Sequence, residues 1–248
     1  MAYHEGVERY RTHEGVIVGR KLLPGGDVIL RLLGPEGSAD VVARKAQRPS
    51  GRSGRLMLFH HIRYQAYHKP DRELATLTQA ELVGRLERLS QPRRYPAAAY
   101  LAELAYRLAE PEVAQPVWNV FTSGLRGVAS HDEPAVPLVW SGWRLVAAAG
   151  LAPRLVSRCG HPPRYLELEG NLACATCALD PAVPLGPGGA ELLAAVLRRP
   201  GKEAVTSLEA ADWRPLLRAL IRYVAYQLEP LLSESAVQKA LLNHRQSQ

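Results

Sequence analysis

Residues 41–70 read V-V-A-R-K-A-Q-R-P-S-G-R-S-G-R-L-M-L-F-H-H-I-R-Y-Q-A-Y-H-K-P. The stretch holds seven Lys/Arg (Arg44, Lys45, Arg48, Arg52, Arg55, Arg63 and Lys69) and no Asp or Glu, with His60, His61 and His68 among them. Ordinary surfaces mix the two signs. A one-sign stretch repels itself, and a polyanionic partner is the commonest reason for one. The uncharged residues are patterned. At a period of two, Leu56, Leu58, Ile62 and Tyr64 share one face, and Phe59, His61, Arg63 and Tyr67 share the other. A strand with one apolar face and one aromatic–basic face fits a nucleic-acid platform or a face packed on a neighbouring domain, and the pattern alone admits both.

Outward from this stretch, five strand-like segments occupy 14–19, 27–33, 39–46, 56–67 and 73–77. Turn signals separate them: Pro24-Gly25-Gly26, then Gly34-Pro35-Glu36-Gly37, then the glycine-rich run 48–54, then His68-Lys69-Pro70-Asp71. Five short strands in one small domain predict a closed barrel, either an oligonucleotide-binding (OB) fold or an SH3-like barrel. After Leu77 the period changes. Thr78-Gln79-Ala80-Glu81 reads as a capping box, and Leu82, Leu86 and Leu89 follow at helical spacing. Further helices are expected over 95–110, 113–130, 136–149, 190–199, 212–228 and 234–244, with a Pro/Gly-rich linker over 180–189. Apolar stripes such as Trp140, Trp143, Val146 and Ala147 read as helix–helix core. The expected fold class is α+β and multidomain. An OB-fold barrel spans 1–78, and an α-helical domain comes in two parts, 79–153 and 182–248. A small zinc-binding module over 154–181 interrupts that domain.

The module rests on cysteine spacing. Cys159-Gly160-His161 precedes Cys174-Ala175-Thr176-Cys177, and these are all the cysteines of the chain. An odd, clustered set argues against a disulfide framework. A C-x-x-C turn holds two thiolates at the separation tetrahedral zinc requires, and Cys159 with His161 would complete a Cys3His shell. The alternative is three free thiols and a solvated histidine. A closed shell leaves no open position, so the expected Zn2+ is structural rather than catalytic. Ala173 precedes Cys174 where a zinc deaminase carries proline, which excludes that reading.

Other chemistry is missing from the sequence. Gly201-Lys202 is followed by Glu203 and lacks the glycine-rich lead of a P-loop, no G-x-S-x-G occurs, and His4-Glu5 and His13-Glu14 lack the second histidine of a zincin. Asp132-Glu133 reads as a solvated turn. A binding protein is expected, not an enzyme. The net charge of +7 favours a polyanion. The first residues carry no apolar signal core, and 145–153 is too short to span a bilayer, so a soluble, cytoplasmic and nucleoid-associated protein with no membrane partner is expected.

Three runs resemble the bacterial RecO recombination-mediator family. They are Gly15-Val16-Ile17-Val18-Gly19-Arg20 in the first strand, Val41–Pro49 (V-V-A-R-K-A-Q-R-P) at the end of the third, and Leu74–Leu82 (L-A-T-L-T-Q-A-E-L) at the junction of barrel and helices. The order of parts matches over nearly the whole chain. There are two departures: Arg44-Lys45-Ala46 stands for the family's Lys-Gly-Ala, and Val156 stands where many members carry a first zinc cysteine. The resemblance implies a mediator of DNA repair and recombination. Such a protein binds single- and double-stranded DNA, anneals complementary strands, engages RecR and single-strand-binding protein, and thereby promotes loading of RecA.

On this reading Arg20, Lys21, Arg44, Lys45, Arg48, Arg52, Arg55, Arg63 and Lys69 form a phosphate track on the barrel. Aromatic residues are few, with two Phe in the chain, so phosphate contacts should outweigh base stacking. The helical domain should pack on the barrel and receive the acidic, apolar-ended tail of single-strand-binding protein, with Arg107, Arg126, Arg218 and Arg222 as candidate carboxylate receptors. Two other readings remain at this point. An RNA-binding factor with an OB barrel and zinc knuckle shares the basic barrel. A metal-dependent nuclease would need carboxylate ligands that the basic stretch lacks.

Overall fold

The structure is a computed structural model that describes residues 10–46, 53–69, 73–157 and 159–242. These residues form two compact units. One runs to Leu86 and includes Glu110–Gln115, and the other holds Glu87–Ala109 and the chain from Pro116.

The first unit is a closed barrel of β1 (Tyr10–Leu22), β2 (Val28–Gly34), β3 (Gly37–Ala43), β4 (His60–Tyr67) and β5 (Ala75–Arg85). The strand order is β1-β2-β3-β5-β4, closing back on β1. A parallel β3–β5 pair is inserted among antiparallel ones, which is the connectivity of an OB fold and not of an SH3-like barrel. β1 is long because it serves two neighbours. Tyr10 to Val16 pair with β4, and Val16 to Leu22 pair with β2, with a bulge between Ile17 and Gly19 where the strand turns. Before the bulge, where the pairing with β2 begins at Val16↔Leu33, the β1 and β2 backbones come very close. A Cβ on Gly34 would collide with the Glu14 carbonyl oxygen, so only glycine fits. Alternate residues fill the interior: Ile17, Val28, Leu30, Leu32, Val41, Leu56, Ile62, Tyr64 and Leu77 are buried together.

Two expectations are corrected here. Residues 78–85 are strand and not helix. They continue β5 with alternating burial, Ala80, Leu82 and Gly84 inward and Gln79, Glu81, Val83 and Arg85 outward. The local capping signal loses because β4 needs a partner along its whole second edge, from Tyr67↔Thr76 to His60↔Arg85. The barrel unit therefore extends to Leu86, past the expected boundary at 78. Phe59 is the second correction. It sits before β4 at φ +63° and is buried, with its N–H donating to the Ile17 carbonyl (2.8 Å), so it does not join the outward face of His61 and Arg63.

The second unit contains α1 (Tyr95–Leu108), the bulk of α2 (Ala114–Ser130), α3 (Ala135–Ala148), α4 (Gly189–Arg198), α5 (Gly201–Glu209), α6 (Arg214–Leu228) and the short α7 (Glu234–Val237), which runs on into a π-helical turn, Gln238–Leu242. α3 is central. Gly124 of α2 faces Ser141, and Gly142 lies against Leu220 of α6 so closely that a Cβ would overlap it. Trp143 is fully buried and donates from Nε1 to the Leu216 carbonyl (3.2 Å). The expected linker over 180–189 is partly ordered as β9 (Ala182–Pro184). β9 completes a four-stranded sheet, β6-β8-β7-β9, with β6 (Arg154–Ser157), β7 (Tyr165–Glu167) and β8 (Asn171–Ala173). α5 carried too few apolar residues to be expected from periodicity. No helix among the described residues is long and apolar enough to cross a membrane.

Three arginines close helix ends in this unit. Arg94, 6% exposed, donates from Nη1 to the carbonyls of Val128 (2.5 Å) and His131 (2.6 Å) at the end of α2. Arg107 donates to Leu228 O at the end of α6 (3.0 Å). Arg144 donates to Leu197 O and Arg199 O at the end of α4. Each guanidinium meets the orphan carbonyls and the negative end of a helix dipole. Burial lowers the Arg94 pKa, yet the paired carbonyls hold its charge in place. Arg94→Met should keep the packed stem but leave those carbonyls unpaired. A loss of about 2–4 kcal/mol is expected, read as a lower urea midpoint at unchanged slope.

Candidate nucleic-acid interface and metal centre

Register decides where the barrel's charges go. Leu22, Val28 and Ala43 are aligned across β1, β2 and β3, so the residues just beyond them share one end of the barrel. That end holds Arg20 and Lys21 of β1 and Arg44 and Lys45 after β3, with the loop β1–β2 tied to them: the Lys45 N–H donates to Asp27 Oδ1 (2.7 Å). Arg55 closes a 3-10 turn at the same end, and His60 Nδ1 lies 3.0 Å from its carbonyl. Arg20 reaches across to Met57, with Nη1 3.5 Å from its sulfur. Arg85 stands opposite His60. The sequence reading missed Arg85, because it lies in the segment expected to be helix.

Two further expected members lie on β4 or just beyond it. Lys69 follows β4 at Tyr67, which pairs with Tyr10 of β1 and with Thr76, itself opposite Val42 near the end of β3. Arg63 sits in mid-strand between Glu14 and Glu81, directly opposite both in register, and its Nη1 is 3.7 Å from Glu81 Oε2. His61 Nε2 lies 2.7 Å from Glu14 Oε1. The run is free of acids along the chain, but its β4 portion is flanked by acids in space. The opposite end is acidic in character, with Glu36 on the β2–β3 turn 2.9 Å from His13 Nδ1. Arg48 and Arg52 lie outside the described residues.

The three cysteines meet. Parallel pairing of β6 with β8 sends the chain toward Cys159 and Cys174 from the same ends of neighbouring strands. The C-x-x-C turn, closed by Cys177 N–H and Ala178 N–H to the Cys174 carbonyl (3.2 and 3.0 Å), then curls Cys177 back. The sulfurs all lie within 4.8 Å of one another, with Cys159 Sγ and Cys174 Sγ 3.5 Å apart. This donor set fits a thiolate-binding ion such as Zn2+. Buried Glu167 holds the loop beyond by accepting the Leu179 N–H (3.1 Å). The imidazole of His161 does not join the three sulfurs. Its contribution is the backbone N–H, donated to Cys159. Val156 is 75% exposed.

Residues 9–86 match the family described as Recombination protein O N terminal, and residues 89–235 match Recombination protein O C terminal. The chain belongs to the RecO family. Similar proteins include the DNA repair protein RecO of Roseiflexus sp. (strain RS-1), 29% identical over 231 residues, 87% of this chain and 81% of that one. The DNA repair protein RecO of Thermobifida fusca (strain YX) is 29% identical over 210 residues, 79% of this chain and 85% of its own. RecO membership carries a role in DNA repair and recombination, and the two matched regions meet where β5 ends.

The thiols of the RecO cysteine cluster should not titrate alike in the metal-free protein. Hydrogen bonds from the His161 N–H, the Ser157 hydroxyl and the Cys174 thiol hold Cys159 down at about 5. Cys177 is pushed up to about 11 because its proton serves the Cys159 and Cys174 sulfurs. A depressed folded-state pKa stabilises above the unfolded thiol's value and loses that contribution as pH falls through about 5. Alkylation with iodoacetamide, followed by peptide mapping, should label Cys159 first at pH 6–7. One common transition near the free-thiol value of about 8.5 would contradict this.

Proposed function

We propose that this RecO-family chain is a recombination mediator and not an enzyme. On this reading it binds DNA phosphates without reading sequence at the cationic end of its barrel. It anneals complementary strands there and, with RecR, promotes RecA loading on strands coated by single-strand-binding protein. One observation supports this best: Arg20, Lys21, Arg44, Lys45 and Arg55, from three separate segments, converge on one barrel end, while Glu36 lies at the other. Phosphate neutralisation lowers the repulsion between two strands and leaves base edges free to pair, which is the physical requirement of annealing. If about five phosphates are neutralised, log K for single strands should fall against log salt with a slope of roughly −3.5. Changing Lys21, Arg44 and Arg55 together to Ala should flatten that slope by about 2 and slow annealing. Equal slopes for the triple variant and the parent would remove the assignment.

The proposed zinc is structural, held by Cys159, Cys174 and Cys177, with the exposed ring of His161 as the proposed fourth donor once it turns toward the metal. Zinc would hold together a sheet whose β6, β7, β8 and β9 are three or four residues long.

For the tail of single-strand-binding protein, a groove of about 520 Å3 in the helical unit is the proposed receptor. Val183, Pro184, Pro215, Ile221 and Leu242 give it an apolar lining, and Arg218 and Arg222, one turn apart on α6, line it with charge. That chemistry suits an acidic peptide ending in apolar side chains and a carboxylate. Arg107 is committed to the end of α6, and Arg126 does not line the groove. Arg218→Ala with Arg222→Ala should weaken binding of such a peptide at least tenfold by fluorescence anisotropy, and Arg126→Ala should not.

A further inference from the structure

The cationic end of the barrel also carries apolar surface that phosphate binding does not use. Leu22 is 59% exposed and Met57 is 44% exposed, although Val28, the cross-strand partner of Leu22, is fully buried. Both belong to the barrel mouth. Leu22 is paired with Val28 and Arg20 with Leu30, and Val28 and Leu30 are core residues, so Leu22 and Arg20 stand on the inward face where the barrel opens to solvent. Arg20 spans from β1 to Met57. Leu22, the aliphatic stem of Arg20, and Met57 therefore lie at one rim, flanked by Lys21, Arg44, Lys45 and Arg55. Among the described strands and connecting loops, the carboxylate at this end is Asp27, and it is engaged with the Lys45 N–H. Phe59, which could have offered a ring here, is buried.

Exposed aliphatic side chains ringed by cations favour a ligand that presents an apolar face together with negative charge. Unpaired nucleobases on a single strand do this. Their faces are open to water, and their phosphates follow at a spacing the flanking cations can reach. A continuous duplex keeps those faces stacked inside. We propose that Leu22 and Met57 form a contact surface for unpaired bases at the barrel mouth, making this chain prefer single-stranded over double-stranded DNA. The proposal rests on the reading that this barrel end binds DNA. It adds to that reading a device for telling single strands from duplex: phosphates supply affinity, and the Leu22–Met57 rim supplies discrimination. Aliphatic groups press on base faces without hydrogen-bonding their edges, so the contact is indifferent to sequence and compatible with annealing.

The test uses the full-length protein and three ligands of equal phosphate number: a mixed-sequence single strand, the same strand with abasic sites throughout its centre, and a hairpin duplex. Binding is read by fluorescence anisotropy at fixed salt for the parent and for Leu22→Gln combined with Met57→Gln. Both side chains are exposed, and a thermal melt confirms that the variant folds. The parent should bind the intact strand about tenfold more tightly than the abasic one, and the variant should bind both alike. Duplex affinity and the salt slope should be unchanged. 2-Aminopurine in the intact strand should change its fluorescence with the parent and not with the variant. Equal binding of intact and abasic strands by the parent, at a steep salt slope, would overturn the base contact and leave the phosphate reading standing. No salt-dependent binding of any ligand would overturn the phosphate reading, and this proposal with it.

Discussion

The pairing of β5 with both β3 and β4 governs the first unit. β3 and β4 are joined by a long basic connection and are not themselves neighbours. Without β5 each would present a bare edge of N–H and C=O groups. β5 satisfies them by running parallel to β3 at Val41↔Ala75 and Val42↔Thr76 and antiparallel to the whole of β4. Closure fixes the register, and register fixes the electrostatics. Arg63 is set between two glutamates, Arg85 is carried up to His60, and the ends of β1 and β3 are brought level. A cationic end is a consequence of how the barrel shuts.

The second unit shows that a basic composition has more than one use. Arg94, Arg107 and Arg144 are spent inside the protein, each on the carbonyl end of a helix distant in sequence. Glu103 performs the complementary task. It accepts the N–H groups of Leu232 and Ser233 ahead of α7 and pairs with Arg107. These hydrogen bonds and the charge of Arg107 hold its pKa below the usual carboxylate range against the opposing cost of burial. Part of the +7 net charge is thus structural and unavailable to a polyanion. Arg218 and Arg222 instead line the groove in this unit.

Much of this was legible in the chain. Alternation in 56–67 reflects a period of two that any half-buried strand imposes, and the stripes of α1 and α3 reflect the 3.6-residue period. The cysteine cluster was legible because a C-x-x-C spacing fixes sulfur positions locally. The segment 78–85 was misread because its helical capping signal is real but local, and pairing along eleven residues of β5 outweighs it. Proximity in sequence does not say which way the His161 ring turns, and the three sulfurs meet without it.

The sequence by itself determined the order of parts, the apolar faces, the basic excess and the three thiols, since each is written within a few residues or in composition. Tertiary structure alone decided which cations act together. It grouped Arg20, Lys21, Arg44, Lys45 and Arg55, set Arg63 between two glutamates, buried Phe59, and left Leu22 and Met57 uncovered at the rim. The reason is physical. Charge pairing, burial and exposure depend on distances between residues far apart along the chain, and those distances exist only once the barrel has closed.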